Sequence, residues 1–172
     1  MFNQTGDESN KTMDALVIKK TTDVELLMKV RIDFCVELHP ETLDNKKHEL
    51  ETTMREYFLQ ALHEHRYVGY AGFLQNKLCC GAAVLIYSMP PYSTPNPRKV
   101  GHVFNFYVYP QFRKQGIGDQ LIRYIIDDTT KECFARLVLN ATEAGERVYR
   151  KHGFNDPKDR NLILDLNKSL IR

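Results

Sequence analysis

Two basic side chains and two glycines fall within six residues in Arg113-Lys114-Gln115-Gly116-Ile117-Gly118. At the mouth of a helix such a set binds anions. The first N–H groups of a helix lack internal partners and carry partial positive charge. Glycines at 116 and 118 remove the β-carbons that would hold a ligand away from those donors. Arg113 and Lys114 add full positive charge beside them. The chemistry fits an anion with several oxygens, most simply a pyrophosphate.

The flanking residues predict the elements that would place this turn. Val103, Phe104, Phe106, Tyr107 and Val108 suit a pleated, half-buried strand. Pro110 ends it, having no N–H to give to a ladder. Ile117, Leu121, Ile122, Ile125 and Ile126 recur at helical spacing, which predicts a helix from Ile117 to Ile126. A second strand, Arg136 to Asn140, follows. A helix from Glu143 to His152 comes next, closed by Gly153 as its C-cap.

Arg113-Lys-Gln-Gly116-Ile-Gly118, set after a strand ending Val108-Tyr-Pro110, resembles the acyl-CoA pyrophosphate motif of the GNAT N-acetyltransferase superfamily. The ending Tyr149-Arg-Lys-His-Gly153-Phe154 resembles a second signature of that family, at the expected distance. The specific resemblance spans about Val100 to Phe154. It implies an α/β layered fold with a mixed, mostly antiparallel sheet of six or seven strands and about four helices. It also implies acetyl transfer from acetyl-CoA to a primary amine in a ternary complex, with no metal and no covalent enzyme intermediate.

Further roles are carried over by the same resemblance. The backbone of Arg113, Lys114, Gln115, Gly116, Ile117 and Gly118 would hold the pyrophosphate. The backbone near Phe106 and Val108 would pair with the pantetheine arm, between diverging strands that end at Val108 and Asn140. The Val108 amide would polarise the carbonyl. Asn140 either bonds the arm or caps the following helix. Tyr149 would protonate the departing thiolate, since a phenol titrates near enough to a thiol. His102 takes the place where histone-acetylating members carry a glutamate base, and a histidine can accept a proton at neutral pH. Asn105 with a relay water, Glu143, or water alone are alternatives to it.

Length and composition set the bounds. At 172 residues the chain suits one domain with a real core. We expect residues 1–13 to form a loose tail and 14–172 a single catalytic domain. The 24 basic residues nearly balance 22 acidic ones, so charge gives no drive toward nucleic acid or membrane. No run is apolar enough to span a bilayer, and the N-terminus lacks the apolar core of a secretion signal. A cytoplasmic protein is expected, with Cys35, Cys79, Cys80 and Cys133 as reduced thiols and no zinc arrangement. The acceptor is a small-molecule amine or a peptide or protein amine, and a homodimer is compatible with the sequence.

The upstream half supplies the remaining elements. Ala15 to Lys20 reads as a strand, with Thr21, Thr22 or Asp23 capping a helix whose stripe includes Val24, Leu27, Met28, Phe34, Cys35 and Leu38. Arg31 falls on that stripe, either snorkelling at its margin or aiming a guanidinium at an acidic substrate group. A second helix is predicted from Leu43 to His65. Tyr67–Leu74 and Leu78–Tyr87 form a hairpin around Gln75-Asn76-Lys77. Ser88 to Lys99 holds four of the seven prolines. This loop is either a connector or a flap with Tyr92 as a contact. Leu162 to Leu166 reads as a final strand.

Two rivals accompany the enzyme reading. One is a non-catalytic CoA-binding regulatory or partner-binding module. The other, a Rossmann-like nucleotide binder, would need the glycine turn early in a βαβ unit and an acid on the next strand. Neither feature is present.

Overall fold

The computed structural model describes residues 15–38, 40, 47–91, 97–158, 162–164 and 166. The chain divides into two compact units, Met1–Asn140 and Ala141–Arg172.

In the first unit the described strands are β1 (Val17–Thr21), β2 (Tyr67–Leu74), β3 (Lys77–Met89), β4 (Arg98–Val108) and β5 (Arg136–Leu139). They lie in the order β1-β2-β3-β4-β5. The first four pair antiparallel in succession, and β5 joins β4 in parallel. Helices α1 (Val24–Leu38) and α2 (Lys47–His63) separate β1 from β2, and α3 (Ile117–Lys131) makes the crossover from β4 to β5 that a parallel pair requires.

Local chemistry accounts for these elements. Asp23 caps α1 by accepting from the Leu26 N–H at 3.1 Å. Gln75 and Asn76 both take left-handed φ values, 51° and 59°, which closes the β2–β3 hairpin in two residues. The predicted start of α2 at Leu43, the 1–13 tail and Tyr92 lie outside the described residues.

The sheet buries both faces. Ile117, Leu121 and Ile125 of α3 pack on one, with Tyr70, Val84 and Val103. Leu27 and Met28 of α1 and Phe58 and Ala61 of α2 pack on the other, with Tyr67 and Ala83. Cys79 and Cys80 are fully buried, and burial pushes both thiols up. Cys35 is half-buried, Cys133 is exposed, and none of the four is bridged.

The second unit contains α4 (Glu143–Lys151). The expected strand at Leu162–Leu166 does not form among the described residues. Leu162, Ile163 and Leu164 are unpaired and 81–90% exposed. A strand needs a partner edge, and the described part of this unit offers none. The expected six or seven strands are therefore corrected to five among the described residues. No helix among them is long and apolar enough to cross a membrane.

Candidate functional site

β4 carries a bulge that reorganises its far end. Ala83 pairs with Phe104 but Gly81 pairs with Tyr107, so Asn105 and Phe106 together oppose Ala82. Asn105 takes the left-handed conformation, φ 51°, and is 4% exposed. Its amide oxygen accepts from Arg31 Nη1 at 2.6 Å, and its side chain also bonds the buried Tyr67 phenol. Burial raises the Tyr67 phenol well above its ordinary range, against the Asn105 bond and the Arg31 charge. Arg31 thus turns its guanidinium onto the bulge rather than running out to solvent.

The parallel pairing with β5 stops at the same level, with Val103 opposite Leu139. From Phe104 to Val108 no strand among the described residues pairs on that side of β4. The Tyr109 N–H donates to the Cys79 carbonyl at 3.0 Å. Alternation along an antiparallel strand therefore turns the backbone groups of Val108 and Phe106 away from β3, into the gap. The gap runs five residues, about 15 Å at strand rise.

The mouth of α3 stands over that gap. A β-carbon built on Gly118 would lie 3.8 Å from both Phe106 and Val108. Gly116 is the N-cap, at φ 75° and ψ 6°, and so brings no side chain of its own to cap the helix. A β-carbon there would meet nothing within 4 Å. Lys114 is also left-handed, at φ 60°. Ile117 is buried, whereas Lys114, Gln115 and Gly116 are exposed. The turn therefore presents orphan helix donors from an unshielded backbone, which suits a polyanion.

The two motif cations do different things. Lys114 makes no ion pair among the described residues. The Arg113 guanidinium is drawn to α1, where Nη2 lies 2.8 Å from both oxygens of Glu37. Its Nε donates to the Val108 carbonyl at 2.8 Å. The expected free charge of Arg113 is thus largely neutralised, and the side chain braces the turn instead.

Tyr107 donates to Glu37 at 2.8 Å, and Tyr109 donates to Asp33 at 2.7 Å. Burial acts to raise the Glu37 carboxyl, but the Arg113 and Tyr107 bonds outweigh it and hold the group below its usual range. Burial and then the Glu37 bond push the Tyr107 phenol up to about 12. Sequence reasoning missed this brace. Its only local trace is the four-residue spacing of Asp33 and Glu37, which puts both carboxylates on one face of α1.

His102 pairs with Leu85 and Val138. It lies opposite the α3-facing Val103, on the face packed by α1 and α2, and is half-buried. It makes no side-chain hydrogen bond among the described residues. Asn140 is exposed just past β5 and does not cap α4; Thr142 does, accepting from the Gly145 N–H at 3.2 Å.

In the second unit, Tyr149 is 8% exposed. The Gly153 N–H bonds the Arg150 carbonyl and the Phe154 N–H bonds the Tyr149 carbonyl, both at 3.1 Å, with Gly153 at φ 89°. These paired bonds form a Schellman end, and the Tyr149 and Phe154 rings meet edge-on at 5.9 Å. The Tyr-x-x-x-Gly-Phe spacing is thus a helix terminus that fixes one ring against the next. A β-carbon on Gly145 would lie 3.0 Å from Tyr149 Cε2, so glycine there leaves room for the ring. Burial pushes the phenol up to about 12.

Comparison with known proteins adds lineage to this geometry. The model of the acetyltransferase (GNAT) family matches residues 24–154. A predicted acetyltransferase with acetyl-CoA from Clostridium acetobutylicum is similar, at 23% identity and TM-score 0.74, over 88% of this chain and 97% of that one. A GCN5-related N-acetyltransferase from Ralstonia eutropha JMP134 is 24% identical, with TM-score 0.71, over 87% and 99%. Glucosamine-6-phosphate N-acetyltransferase from Arabidopsis thaliana is 15% identical, with TM-score 0.65, over 89% and 99%. No curated protein matches the chain.

Proposed function

Because the chain belongs to the GNAT acetyltransferase family, we propose that it transfers an acetyl group from acetyl-CoA to the primary amine of an acceptor, by direct attack in a ternary complex. The observation that carries this is the glycine-capped mouth of α3, with bare backbone at Gly116 and Gly118, set over the open side of β4.

The turn from Arg113 to Gly118 would hold the diphosphate through its amides, with Lys114 supplying the uncompensated charge. The Phe106 and Val108 backbone would bind the pantetheine arm. The Val108 carbonyl is engaged by Arg113, which leaves the N–H as the group Val108 has on offer. Acetyl-CoA supplies an activated thioester carbonyl. The Val108 N–H would meet charge that develops on its oxygen. Asn140, freed of any capping duty, is available to the arm.

Tyr149 would return a proton to the leaving sulfur. With its phenol at about 12 it stays protonated at working pH. So weak an acid gives up its proton only as negative charge builds on the sulfur. His102 would take the proton from the attacking amine. Since the family model crosses both units, we read 14–172 as one catalytic domain, acting in the cytoplasm.

Calorimetry with acetyl-CoA, together with a thiol-release assay against amino acids, polyamines, aminoglycosides and peptides, tests this reading. Binding with release in at least one case supports it. Absence of heat overturns it, and heat with no release points to a binding module.

A further inference from the structure

Among the described residues, Arg31 is a half-buried cation without a counter-charge. Arg55, Arg66, Arg113 and Arg150 each lie on a carboxylate, all with side chains more than 40% exposed, where such pairing is worth least. Arg31 is more deeply placed, so a partner would count for more, yet among the described residues no carboxylate lies within ion-pair distance of it. The nearest acids along α1 are taken. Asp33 holds Lys29 and Tyr109, and Glu37 holds Arg113 and Tyr107. Of the five N–H donors of a guanidinium, one is committed among the described residues, to the neutral amide oxygen of Asn105.

A partly desolvated charge left in this state costs stability. Departures of this kind are expected where a ligand completes the arrangement. The place in the fold says which ligand. Asn105 lies at the level where β5 leaves β4, at the end of the gap away from the Gly116–Gly118 turn. Arg31 reaches it from α1, on the face that also carries His102 and Phe104. A guanidinium recognises planar or tetrahedral oxyanions through two parallel N–H bonds.

Resting on the acetyl-transfer reading above, we infer that Arg31, held in position by Asn105, binds an oxyanion of the acceptor, so that the acceptor is an amine that also carries a carboxylate or a phosphate. The amine then lies beside the open strand while its anionic group is held on α1.

Matched amines test this in the full-length protein: L-phenylalanine against 2-phenylethylamine, L-lysine against cadaverine, and glucosamine 6-phosphate against glucosamine. In at least one pair the oxyanion-bearing member should have the higher kcat/KM, by tenfold or more. The first two pairs report a carboxylate and the third a phosphate. Arg31→Gln keeps an N–H for Asn105 and removes the charge. It should lower that ratio at least tenfold through KM, with acetyl-CoA affinity unchanged by calorimetry. Asn105→Asp leaves Arg31 in place but neutralises it, and should lower the ratio likewise.

Equal or better turnover of the neutral member in every reacting pair overturns the inference. So does an unchanged ratio in Arg31→Gln, or no turnover of any oxyanion-bearing member. If acetyl-CoA still binds and other amines react, only the Arg31 assignment falls. If acetyl-CoA gives no heat, the assignment and the acetyl-transfer reading fall together.

Discussion

Glu37 and Arg113 stand 76 residues apart in sequence, yet both carboxylate oxygens lie 2.8 Å from one guanidinium nitrogen. The same guanidinium reaches the Val108 carbonyl. This pair ties the first helix to the end of β4 and to the turn before α3. Both side chains are about 40% exposed, so the pair adds under about 1 kcal/mol to stability. Its removal should instead loosen the turn. Arg113→Ala should weaken acetyl-CoA binding about tenfold, the loss of one charge-assisted bond, with little change in Tm. Glu37→Gln should do less. Titration calorimetry alongside thermal melts checks both.

The two motif glycines should respond with opposite sign. Gly116 is left-handed, so Gly116→Ala costs roughly 1 to 2 kcal/mol despite the open space around it. Gly118 is inside the helix, and a β-carbon there would make ordinary contacts at 3.8 Å. Gly118→Ala should stabilise by about 0.5 kcal/mol from helix propensity alone. Urea denaturation of the two variants reads the difference.

Tyr149→Phe should lower kcat about a hundredfold, within the range for lost acid catalysis, and leave the Kd for acetyl-CoA unchanged. With the phenol at about 12, no alkaline fall in kcat from Tyr149 should occur below pH 10. The folded form holds this proton more tightly than the unfolded chain, which titrates near 10. Stability from this group is therefore complete below about pH 10 and lost as pH rises through 12. Tyr149→Phe should flatten the decline in Tm across that window.

Gly153→Ala should strain the left-handed helix end at φ 89°, at a cost of roughly 1 to 2 kcal/mol. Because the Schellman bonds seat Phe154 on Tyr149, kcat should fall as well. A Gly153→Asn variant, which tolerates the left-handed region better, should recover part of both losses.

Much of this was legible along the chain because it rests on short-range chemistry. The period of Ile117, Leu121, Ile122 and Ile125 marked the buried face of α3. The glycine pair marked the turn, and Gly153 marked the end of α4. What escaped depends on pairs distant in sequence. Nothing local tells that Arg113 turns back to Glu37, or that Asn105 is wound into a bulge and meets Arg31, 74 residues away. Arg31 did stand out as a charge on an apolar stripe, but a stripe does not reveal what lies opposite. Leu162–Leu166 misled for a related reason, since an apolar run reports a preference for burial and not the presence of an edge to receive it.

The distribution of sulfur in this chain has a practical side. Cys79 and Cys80 are sealed beneath α3 and resist alkylation, whereas Cys133 lies open in the turn that follows the same helix. A maleimide dye attached at Cys133 would ride on a rigid rod about 22 Å from Gly116, a separation suited to energy transfer with a fluorescently labelled coenzyme bound at the turn. Any colorimetric reagent used to count liberated coenzyme would react with Cys133 as well. A Cys133→Ser form is therefore the sensible background for such measurements.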